Sequence, residues 1–522
     1  MRLSELLRRA GITAPPEAMA GRAGTAGGAT GAAQPAADPD VRSVDYDSRR
    51  CAPGSLFVAV AGLRADGRRF AAQAVSGGAV AVVAEREPDP PVAPAVPLVL
   101  VPNSRMALSA LAAALAGHPS RRMTVAGVTG TDGKTTTSTM LWSAWHAAGI
   151  PAASITTVDT RVGTEIRPNP SHITTLEAPE LQGWLEGALA AGCTHTVLET
   201  SSHGLQMHRV DGVDYDIAVY TRVTSEHLDI HGTRDEYLRT KARLLDLVGP
   251  RPGGLAVLDL DDDFAYPLLS RAPVARRLTY SVTGRAGADL RAEELRVVDN
   301  CVCFTAATPW GRYDLELGLA GSFNAGNALA ALAAACGSGA PPEDAVRGIA
   351  GLKRVTGRME RIDVGQDFLV VVDYAHTAAA LETVLAELRP VTKGRLWAVF
   401  GSAGERDREK RGAMGAAAAR LADILVVTDE DPRGEDRDAI NQEIARGAEA
   451  QGAARGVRLH VIADRTLAVD FAVSGAAPGD TVLLAGKGHE NTIEMADGPI
   501  PWDEHAVARK ALRRRGYGGG GA

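Results

Sequence analysis

The sequence predicts an α/β protein with three domains. A chain of 522 residues is too long to fold around a single hydrophobic core. The apolar runs that begin at Met123, Leu369 and Leu396 are continuous rather than alternating, which is typical of parallel strands buried on both faces. We therefore expect a small N-terminal α/β domain, a central P-loop-type, mostly parallel sheet, and a C-terminal doubly wound, Rossmann-like domain.

Changes in composition indicate the domain limits. The first predicted domain comprises residues 1–117 and ends where Gly117-His-Pro-Ser120 breaks the pattern. Within it, residues 13–39 are rich in Ala, Gly and Pro. We expect a flexible insertion there, because this segment buries too little apolar surface to offset its ordering entropy. The central domain comprises residues 118–352, and the C-terminal domain comprises residues 353–522.

Composition also restricts location and partners. The hydrophobic fraction of 45% and the charged fraction of 23% are ordinary for a soluble globular protein. The net charge of −7 argues against a nucleic-acid partner. Five cysteines form no disulfide framework and indicate a reducing compartment. The charged N-terminus is no signal peptide, and no apolar window is long enough to span a membrane. We expect a cytoplasmic monomer that binds neither nucleic acid nor membrane.

The stretch from Met123 to Thr137 predicts a strand, a tight loop and the start of a helix. Glycines let the loop backbone turn its N–H groups toward a phosphate, and the helix N-terminus adds the positive end of its dipole. Lys134 would reach the outer phosphates, and the Thr135 hydroxyl would bind Mg²⁺. The standard P-loop pattern has glycine where Val128 stands, so an ordinary glycine-rich turn remains an alternative.

Further polar residues follow predicted strands. Glu199 could complete a Mg²⁺ shell begun by the P-loop hydroxyl, although its Ser-rich turn could also be a helix cap. His227 and His231 have the spacing of zinc ligands, but Leu228 occupies the place where the zinc-protease pattern needs Glu. A histidine beside a magnesium–phosphate centre is therefore favoured. Lys241 lies in a helical stretch and would be unexceptional as a solvated lysine.

Seven motifs occur together and in order along the chain. They are Gly130-Thr-Asp-Gly-Lys-Thr-Thr136, Glu199-Thr-Ser-Ser-His-Gly-Leu205, Glu226-His-Leu-Asp-Ile-His-Gly232, Phe323-Asn-Ala-Gly-Asn327, Gly357-Arg-Met-Glu360, Asp373-Tyr-Ala-His-Thr377 and Gly486-Lys-Gly-His-Glu490. With these motifs the chain resembles the Mur ligases, and within them the enzymes that add diaminopimelate, from about Asp45 to Leu512. The resemblance implies that the first domain binds the UDP of a nucleotide-linked substrate, the second ATP, and the third an amino acid.

The resemblance also implies a nucleotide and metal site. ATP would be bound by Gly130, Thr131, Asp132, Gly133, Lys134, Thr135, Thr136, Asn324, Asn327 and Arg358, with Asp373 and His376 as further candidates. Thr135 and Glu199 would hold a first Mg²⁺ ion and His227 a second. Lys241 matches the position of a carbamylated lysine in this family, and its carbamate would serve the second ion. Lys134, His227 and Lys241 are the implied catalytic residues.

The remaining matches concern the other two substrates. Ser48 and Arg49 fall where the family contacts UDP, and Thr174, Thr175, Ser201 and Arg209 where it holds the muramoyl dipeptide. The implied amino-acid site comprises Arg406, Asp431, Pro432, Arg433, Gly486 and Glu490. Two arginines and an acid suit a zwitterion with a second carboxylate, because guanidinium pairs with carboxylates bidentately.

The chain departs from the family pattern at some of these positions. Asp431 stands where the diaminopimelate-adding enzymes usually have Asn, and an ionised carboxylate donates no hydrogen bond and repels a substrate carboxylate. Ile173, Met207 and Arg222 also depart from the usual residues on the nucleotide-peptide side. The choice of amino acid and of acceptor carboxylate therefore stays open.

The function implied by the resemblance is ATP-dependent amide formation in peptidoglycan precursor synthesis. The γ-phosphoryl group of ATP would pass to the D-Glu carboxylate of UDP-MurNAc-L-Ala-D-Glu, and meso-diaminopimelate would attack the resulting acyl phosphate. A related ligase could instead add lysine or ornithine, or use another carboxylate in a secondary-metabolite pathway. The folylpolyglutamate synthases share the phosphate loop but not the N-terminal domain or the Gly486–Glu490 motif. A non-catalytic nucleotide-binding protein is the alternative from a different functional class.

Overall fold

The chain folds around three main β-sheets in a computed structural model that describes residues 1–13, 38–62, 65–93, 95–169, 173–224, 231–249, 251–298 and 301–518. The strands are β1 (Ser43–Asp45), β2 (Ser55–Ala59), β3 (Ala79–Ala84), β4 (Leu98–Leu100), β5 (Thr124–Thr129), β6 (Ala152–Ile155), β7 (Asp159–Val162), β8 (Glu165–Pro168), β9 (His195–Glu199), β10 (Ile217–Tyr220), β11 (Leu255–Asp259), β12 (Arg276–Ser281), β13 (Leu290–Val298), β14 (Cys301–Thr308), β15 (Gly311–Leu317), β16 (Glu360–Ile362), β17 (Leu369–Asp373), β18 (Leu396–Phe400), β19 (Ile424–Val427), β20 (Leu459–Val461), β21 (Thr481–Ala485), β22 (Thr492–Met495) and β23 (Gly498–Pro501).

Helices connect most of the parallel strands. They span Leu3–Arg9, Ala71–Ser76, Ser104–Leu115, Lys134–Ala147, Ala178–Ala190, Ser202–Gln206, Arg234–Val248, Tyr266–Leu269, Asn324–Gly337, Pro342–Gly351, Ala378–Leu388, Glu409–Leu421, Arg437–Glu449, Arg465–Gly475 and Glu504–Arg514. Short 3₁₀ turns lie at Ser48–Arg50, Gly67–Phe70 and Pro119–Arg122.

The N-terminal sheet has four parallel strands in the order β1-β2-β3-β4. Leu3 and Leu6 of the first helix pack with Leu108 and Leu111 of Ser104–Leu115 in one buried cluster. Asp38 closes the chain back onto this helix, since its carboxylate accepts hydrogen bonds from the amide and hydroxyl groups of Ser4. The insertion predicted at residues 13–39 lies mainly outside the described residues, which exclude 14–37.

The central sheet has eleven strands in the order β15-β14-β13-β12-β11-β10-β5-β9-β6-β7-β8. Strand β5 lies in its middle and pairs in parallel with β10 on one side and β9 on the other. Two buried clusters cover the opposite faces, one around Trp145 and Leu329, the other around Leu185 and Tyr237. The strands that precede the predicted nucleotide site are thus buried on both faces, as the continuous apolar runs predict. Antiparallel strands, which the apolar runs do not predict, extend both edges.

The C-terminal sheet has the order β16-β17-β21-β18-β19-β20, and only β16 is antiparallel to its neighbour. Clusters on its two faces contain Leu385 and Met414 on one side and Val469 and Leu512 on the other, as in a doubly wound fold. A two-stranded hairpin, β22–β23, follows the last strand of the sheet. The predicted α/β class with mostly parallel sheets is confirmed. The limits at 117/118 and 352/353 fall between the sheets and remain predictions.

Candidate active site

The predicted phosphate loop connects β5 to the helix Lys134–Ala147. Gly130 and Gly133 both have positive φ, at 152° and 82°, which L-residues rarely adopt. A Cβ atom at Gly130 would collide with the Thr221 hydroxyl, and one at Gly133 would collide with the Asn327 side chain. Both positions therefore need glycine for backbone conformation and for space. The Thr221 hydroxyl donates a hydrogen bond to the carbonyl of Asp132 at 2.6 Å, which holds the loop against the end of β10.

Two lysines contact the same loop. The ammonium group of Lys134 donates to the carbonyl oxygens of Gly130 and Thr131, at 3.2 and 2.7 Å. Lys241 is only 1% exposed; its Nζ donates to the Gly130 carbonyl at 2.7 Å and lies 4.4 Å from the centre of the Tyr237 ring. Interpreting Lys241 as an ordinary solvated lysine is therefore wrong. Its helix, Arg234–Val248, packs the side chain against the loop.

A carboxylate and a hydroxyl meet at the start of the helix. Glu199 is 2% exposed, and its Oε2 accepts hydrogen bonds from the Thr135 hydroxyl at 3.0 Å and the Thr157 amide at 2.8 Å. In the register of the sheet, Glu199 pairs with Val128, so this carboxylate lies at the same edge as the loop. Oxygen ligands of this type suit Mg²⁺, which is held by one or two carboxylates together with phosphate oxygens and water.

Within the described residues, no group of three or more His, Cys, Asp and Glu side chains could hold a metal ion by itself. The Thr135–Glu199 pair agrees with a metal site that has few protein ligands and completes its coordination shell with oxygens of the nucleotide. The predicted second ligand, His227, lies outside the described residues. His231 is buried, with Nε2 3.2 Å from the Ser202 hydroxyl.

The two predicted asparagines adjoin the loop at the start of Asn324–Gly337. Asn327 donates to the Asn324 side-chain oxygen at 2.9 Å and accepts from the Thr137 hydroxyl at 3.2 Å. Asn324 in turn donates to the Ala320 carbonyl at 2.7 Å. Thr136 is buried within the helix that follows the loop. These contacts place the asparagines beside Gly133, and their role in binding ATP stays a prediction.

The residues predicted for the muramoyl dipeptide form one polar group next to Glu199. Thr175 donates to the Glu199 carbonyl, and its hydroxyl lies 3.0 Å from that of Ser201. The Thr174 hydroxyl accepts from that of Thr157 at 3.0 Å. Arg209 donates to the Thr175 carbonyl at 2.9 Å and pairs with Glu177 at 2.8 Å. The structure therefore brings these four predicted residues together beside the candidate magnesium ligands.

The residues predicted for UDP lie in the N-terminal unit. Ser48 is buried and donates to the Gln73 side chain at 2.9 Å, whereas the exposed Arg49 forms a two-pronged pair with Asp47. The neighbouring Arg50 forms an ion pair with Glu180 on the helix Ala178–Ala190 of the central unit. The N-terminal and central units thus contact each other next to the predicted UDP residues.

The predicted amino-acid site lies at the carboxyl ends of the C-terminal strands. Lys487 is 1% exposed, and its Nζ donates to Asp431 at 2.8 Å and to Glu490 at 2.5 Å. Burial alone would lower the pKa of Lys487, but the carboxylates of Glu490 and Asp431 outweigh it and raise this pKa above its usual value. Tyr374 donates to the other oxygen of Glu490 at 3.1 Å.

Glu430 adds a buried carboxylate to this group. It is 6% exposed, and its Oε2 accepts no hydrogen bond from the described residues. Burial raises the pKa of Glu430, although the charges of Lys410, His376 and Lys487 oppose the increase. Gly486 lies directly against it, since a Cβ there would be 3.4 Å from the free oxygen. An unpaired buried acid at this edge suits a cationic ligand.

The predicted arginines lie on the next two loops. Arg433 is half-buried, has φ of 53°, and donates to the Gly404 carbonyl at 3.3 Å. A Cβ at Gly404 would collide with the carbonyl of Pro432, so the loop that carries the exposed Arg406 packs directly on the loop of Arg433. The loops that carry the two arginines are therefore neighbours at one side of the candidate site.

Arg358 connects the nucleotide and amino-acid groups. Its guanidinium donates to the Thr135 hydroxyl at 3.3 Å, and its central carbon lies 4.6 Å from the centre of the Tyr374 ring. Asp373 lies beneath this contact and accepts from the amides of Met359 and Ala375 at 2.7 and 2.8 Å. Burial raises the pKa of Asp373, and the nearby Arg358 limits the increase.

Sequence reasoning missed four residues of the site. Tyr374 and Lys487 lie inside two of the seven motifs, and Glu430 is the immediate neighbour of Asp431. The sequence therefore points to these positions but not to a role for their side chains. Thr157 is the last residue of the strand that the sequence predicts at Ala153–Thr157, at the edge where ligands bind in parallel sheets. Only the fold shows that its amide points at the Glu199 carboxylate.

Comparisons with known proteins identify the family. The description "Mur ligase family, catalytic domain" matches residues 40–115, "Mur ligase middle domain" 128–335, and "Mur ligase, glutamate ligase domain" 357–488. The UDP-N-acetylmuramyl-tripeptide synthetase of Roseiflexus sp. (strain RS-1) is 48% identical over 496 residues, which cover 93% of this chain and 97% of that protein. The chain belongs to the Mur ligase family.

Other relatives of this Mur ligase are similar over their whole length. The UDP-N-acetylmuramoyl-L-alanyl-D-glutamate--2,6-diaminopimelate ligase of Geobacillus thermodenitrificans is 40% identical over 484 residues, which cover 92% of this chain and 96% of that protein. A solved structure of a ligase of that name is 33% identical with a TM-score of 0.63, and the match covers 93% of this chain and 97% of that one. The predicted family and enzyme class are therefore confirmed, and the protein is an ATP-dependent ligase. No helix among the described residues is long and apolar enough to cross a membrane.

Proposed function

We propose that this Mur ligase adds a diamino acid to the D-Glu carboxylate of UDP-MurNAc-L-Ala-D-Glu in peptidoglycan precursor synthesis. Meso-diaminopimelate is the first candidate, as the sequence motifs predict. The observation that carries the proposal is the series of contacts Glu199–Thr135–Arg358–Tyr374–Glu490. This series joins the phosphate loop to a buried acidic site. A ligase needs both sites close together, because it condenses an activated carboxylate with an amine.

The proposed chemistry has two steps. A carboxylate oxygen of the D-Glu residue attacks the γ-phosphorus of ATP, and ADP leaves, so that an acyl phosphate forms. The uncharged amine of the diamino acid then attacks the acyl carbon; phosphate leaves and the nitrogen loses its proton. Catalysis of this type rests on positioning and on neutralising phosphate charge. Lys134 supplies positive charge at the loop, and Arg358 reaches the adjoining Thr135 hydroxyl.

The predicted metal and modification sites belong to this proposal. Thr135 and Glu199 would hold the first Mg²⁺ ion, and His227 with a carbamylated Lys241 would serve the second. Bound Mg²⁺ supplies neutralisation of phosphate charge. Thr174, Thr175, Ser201 and Arg209 would orient the dipeptide, and Ser48 and Arg49 would contact UDP. The cytoplasmic location, the monomeric state and the domain limits also remain proposals.

Lysine or ornithine is the second candidate amino acid, and a specific observation favours it. Asp431 puts a carboxylate where the diaminopimelate-adding enzymes usually have an amide, and Glu430 adds a buried acid without a hydrogen-bond partner at Oε2. The site thus has more carboxyl groups, those of Asp431, Glu430 and Glu490, than buried ammonium groups, of which Lys487 supplies one. Such a site suits a substrate that ends in an ammonium group, whereas Arg433 suits one that ends in a carboxylate.

The test is an assay of phosphate and product mass. Wild-type protein is incubated with ATP, Mg²⁺ and UDP-MurNAc-L-Ala-D-Glu, and meso-diaminopimelate, lysine and ornithine are offered separately. We expect phosphate in proportion to product with a diamino acid, and none when the UDP-linked dipeptide is omitted or Lys134 is replaced by Ala. If none of the three amines leads to phosphate release, the proposal is rejected. Asp431→Asn should move the ratio of kcat/KM values toward diaminopimelate, which distinguishes the two candidates.

A further inference from the structure

Tyr374 lies where the nucleotide and amino-acid groups meet. It directly follows β17, and its ring is stacked by the Arg358 guanidinium on the side of the phosphate loop. The rings of His376 and His489 lie 4.7 and 5.0 Å from it. Its hydroxyl donates to Glu490 at 3.1 Å. A single side chain thus touches one residue of each substrate site with a different part of its structure.

The loops around Tyr374 are locked to each other. The Asp373 carboxylate binds the amides of Met359 and Ala375, which adjoin Arg358 and Tyr374. Gly357 has φ of 67°, and a Cβ there would collide with the backbone amide of His489. The backbone before Arg358 therefore rests on the backbone before Glu490. Because these loops pack so closely, Tyr374, Arg358 and Glu490 hold one arrangement.

Glu490 is held at both of its carboxylate oxygens. Tyr374 donates to Oε1, and Lys487 donates to Oε2 at 2.5 Å while also binding Asp431. On the other side of Tyr374, Arg358 donates to the Thr135 hydroxyl, which itself donates to Glu199. The contacts are therefore continuous from the candidate magnesium ligands to the carboxylate that would bind the ammonium of the amino acid.

We propose that Tyr374 is a positioning residue that couples nucleotide binding to amino-acid binding. Its hydroxyl aims Glu490 at the incoming ammonium, and its ring keeps Arg358 directed at Thr135. A nucleotide that orders Arg358 thereby orders Tyr374 and Glu490, so the second substrate binds to a site that is already arranged. The inference rests on the proposed function, because it needs an amino acid as the second ligand.

Two variants separate the parts of the side chain. Tyr374→Phe removes the hydroxyl and keeps the ring over Arg358, whereas Tyr374→Leu removes both contacts. Loss of a hydrogen bond to a charged group predicts that KM for the diamino acid rises about tenfold in Tyr374→Phe, with kcat and the nucleotide Kd little changed. Tyr374→Leu should also weaken nucleotide binding measured without amino acid. Tyr517→Phe is the matched control, since Tyr517 donates to Asp367 in the same unit away from the site.

The decisive experiment measures the Kd of a non-hydrolysable ATP analogue with Mg²⁺, with and without the diamino acid that the wild type uses. We expect the amino acid to tighten nucleotide binding by at least about fivefold in the wild type and in Tyr517→Phe, and to have no effect in either Tyr374 variant. Equal coupling in wild type and Tyr374→Phe overturns the inference, as does absence of coupling in the wild type.

A double-mutant cycle gives a second test, which does not depend on Tyr374→Leu. Tyr374→Phe introduced into Glu490→Gln should cause no further rise in KM, because the residue through which the hydroxyl acts has already lost its charge. Additive effects on KM contradict the inference. A wild-type protein that makes no product with any diamino acid overturns the proposed function, and the inference with it. If the wild type turns over and Tyr374→Phe has the same KM for the diamino acid and the same coupling, the inference alone is overturned.

Discussion

Replacing Glu199 by glutamine tests the candidate magnesium site without changing its shape. Glu199 Oε2 accepts hydrogen bonds from the Thr135 hydroxyl and the Thr157 amide. Glutamine keeps one oxygen that can accept both bonds, so the main loss is the negative charge. Removal of one preorganised electrostatic group from an active site costs about 10²–10³ in rate, or about 2.7–4 kcal/mol. We expect kcat/KM to fall by that factor, while the free energy of unfolding changes by only about 1 kcal/mol.

The assay is the initial rate of phosphate release as a function of Mg²⁺ concentration at saturating substrates. Glu199→Gln should need more Mg²⁺ for half-maximal rate, because Mg²⁺ prefers a carboxylate oxygen to an amide oxygen. Glu186→Gln is the matched control, since Glu186 is an exposed carboxylate on Ala178–Ala190 of the same sheet unit. An unchanged half-maximal Mg²⁺ concentration together with an unchanged kcat would refute the assignment of Glu199 as a metal ligand.

Three further predictions concern buried or crowded positions. Lys241→Ala should lose activity, and an added short-chain carboxylate should restore part of it if a carbamate acts there; unchanged activity rules out that role. Burial, with help from the carboxylate of Asp261, raises the pKa of Asp259 to about 7, so the folded chain loses stability as the pH rises from about 4 to about 7. Asp259→Asn lacks this loss. In urea titrations its free energy of unfolding should exceed that of the wild type at about pH 8, and the difference should shrink toward about pH 4.5. A difference that does not depend on pH contradicts the raised pKa of Asp259. Gly357→Ala should lower the melting temperature more than Gly365→Ala, because both have positive φ but only the first Cβ would collide with backbone; equal losses argue against the close contact.

The fold could be predicted wherever a strand is buried on both faces. The runs that begin at Leu369 and Leu396 form β17 and β18, because both strands are buried in the sheet with apolar clusters on its two faces. The antiparallel strands at the edges of the central sheet were missed for a physical reason. Strand β13 mixes arginine and glutamate with apolar residues, and its register shifts between Glu293 and Arg296, which interrupts the alternation that marks a half-buried strand.

The site was predicted best where its residues lie close together in the chain. The glycines of the loop and Lys134 are such a case, since the conformation that requires them is local. Lys241 was different, because its ammonium is buried against the Gly130 carbonyl, which the fold brings to it from 111 residues away in the sequence. Glu430 could not be assigned for the same reason: its free oxygen is buried by Gly486, more than fifty residues away in the sequence.

An oxygen-isotope measurement shows whether phosphoryl transfer activates the carboxylate of the UDP-linked dipeptide. The D-Glu carboxylate is labelled with ¹⁸O, the protein turns over with ATP and a diamino acid, and the released phosphate is analysed by mass. We predict one ¹⁸O atom in each inorganic phosphate, because the carboxylate oxygen that attacks the γ-phosphorus leaves with it. Unlabelled phosphate, or label in a nucleotide product, would show that this carboxylate oxygen does not attack the γ-phosphorus.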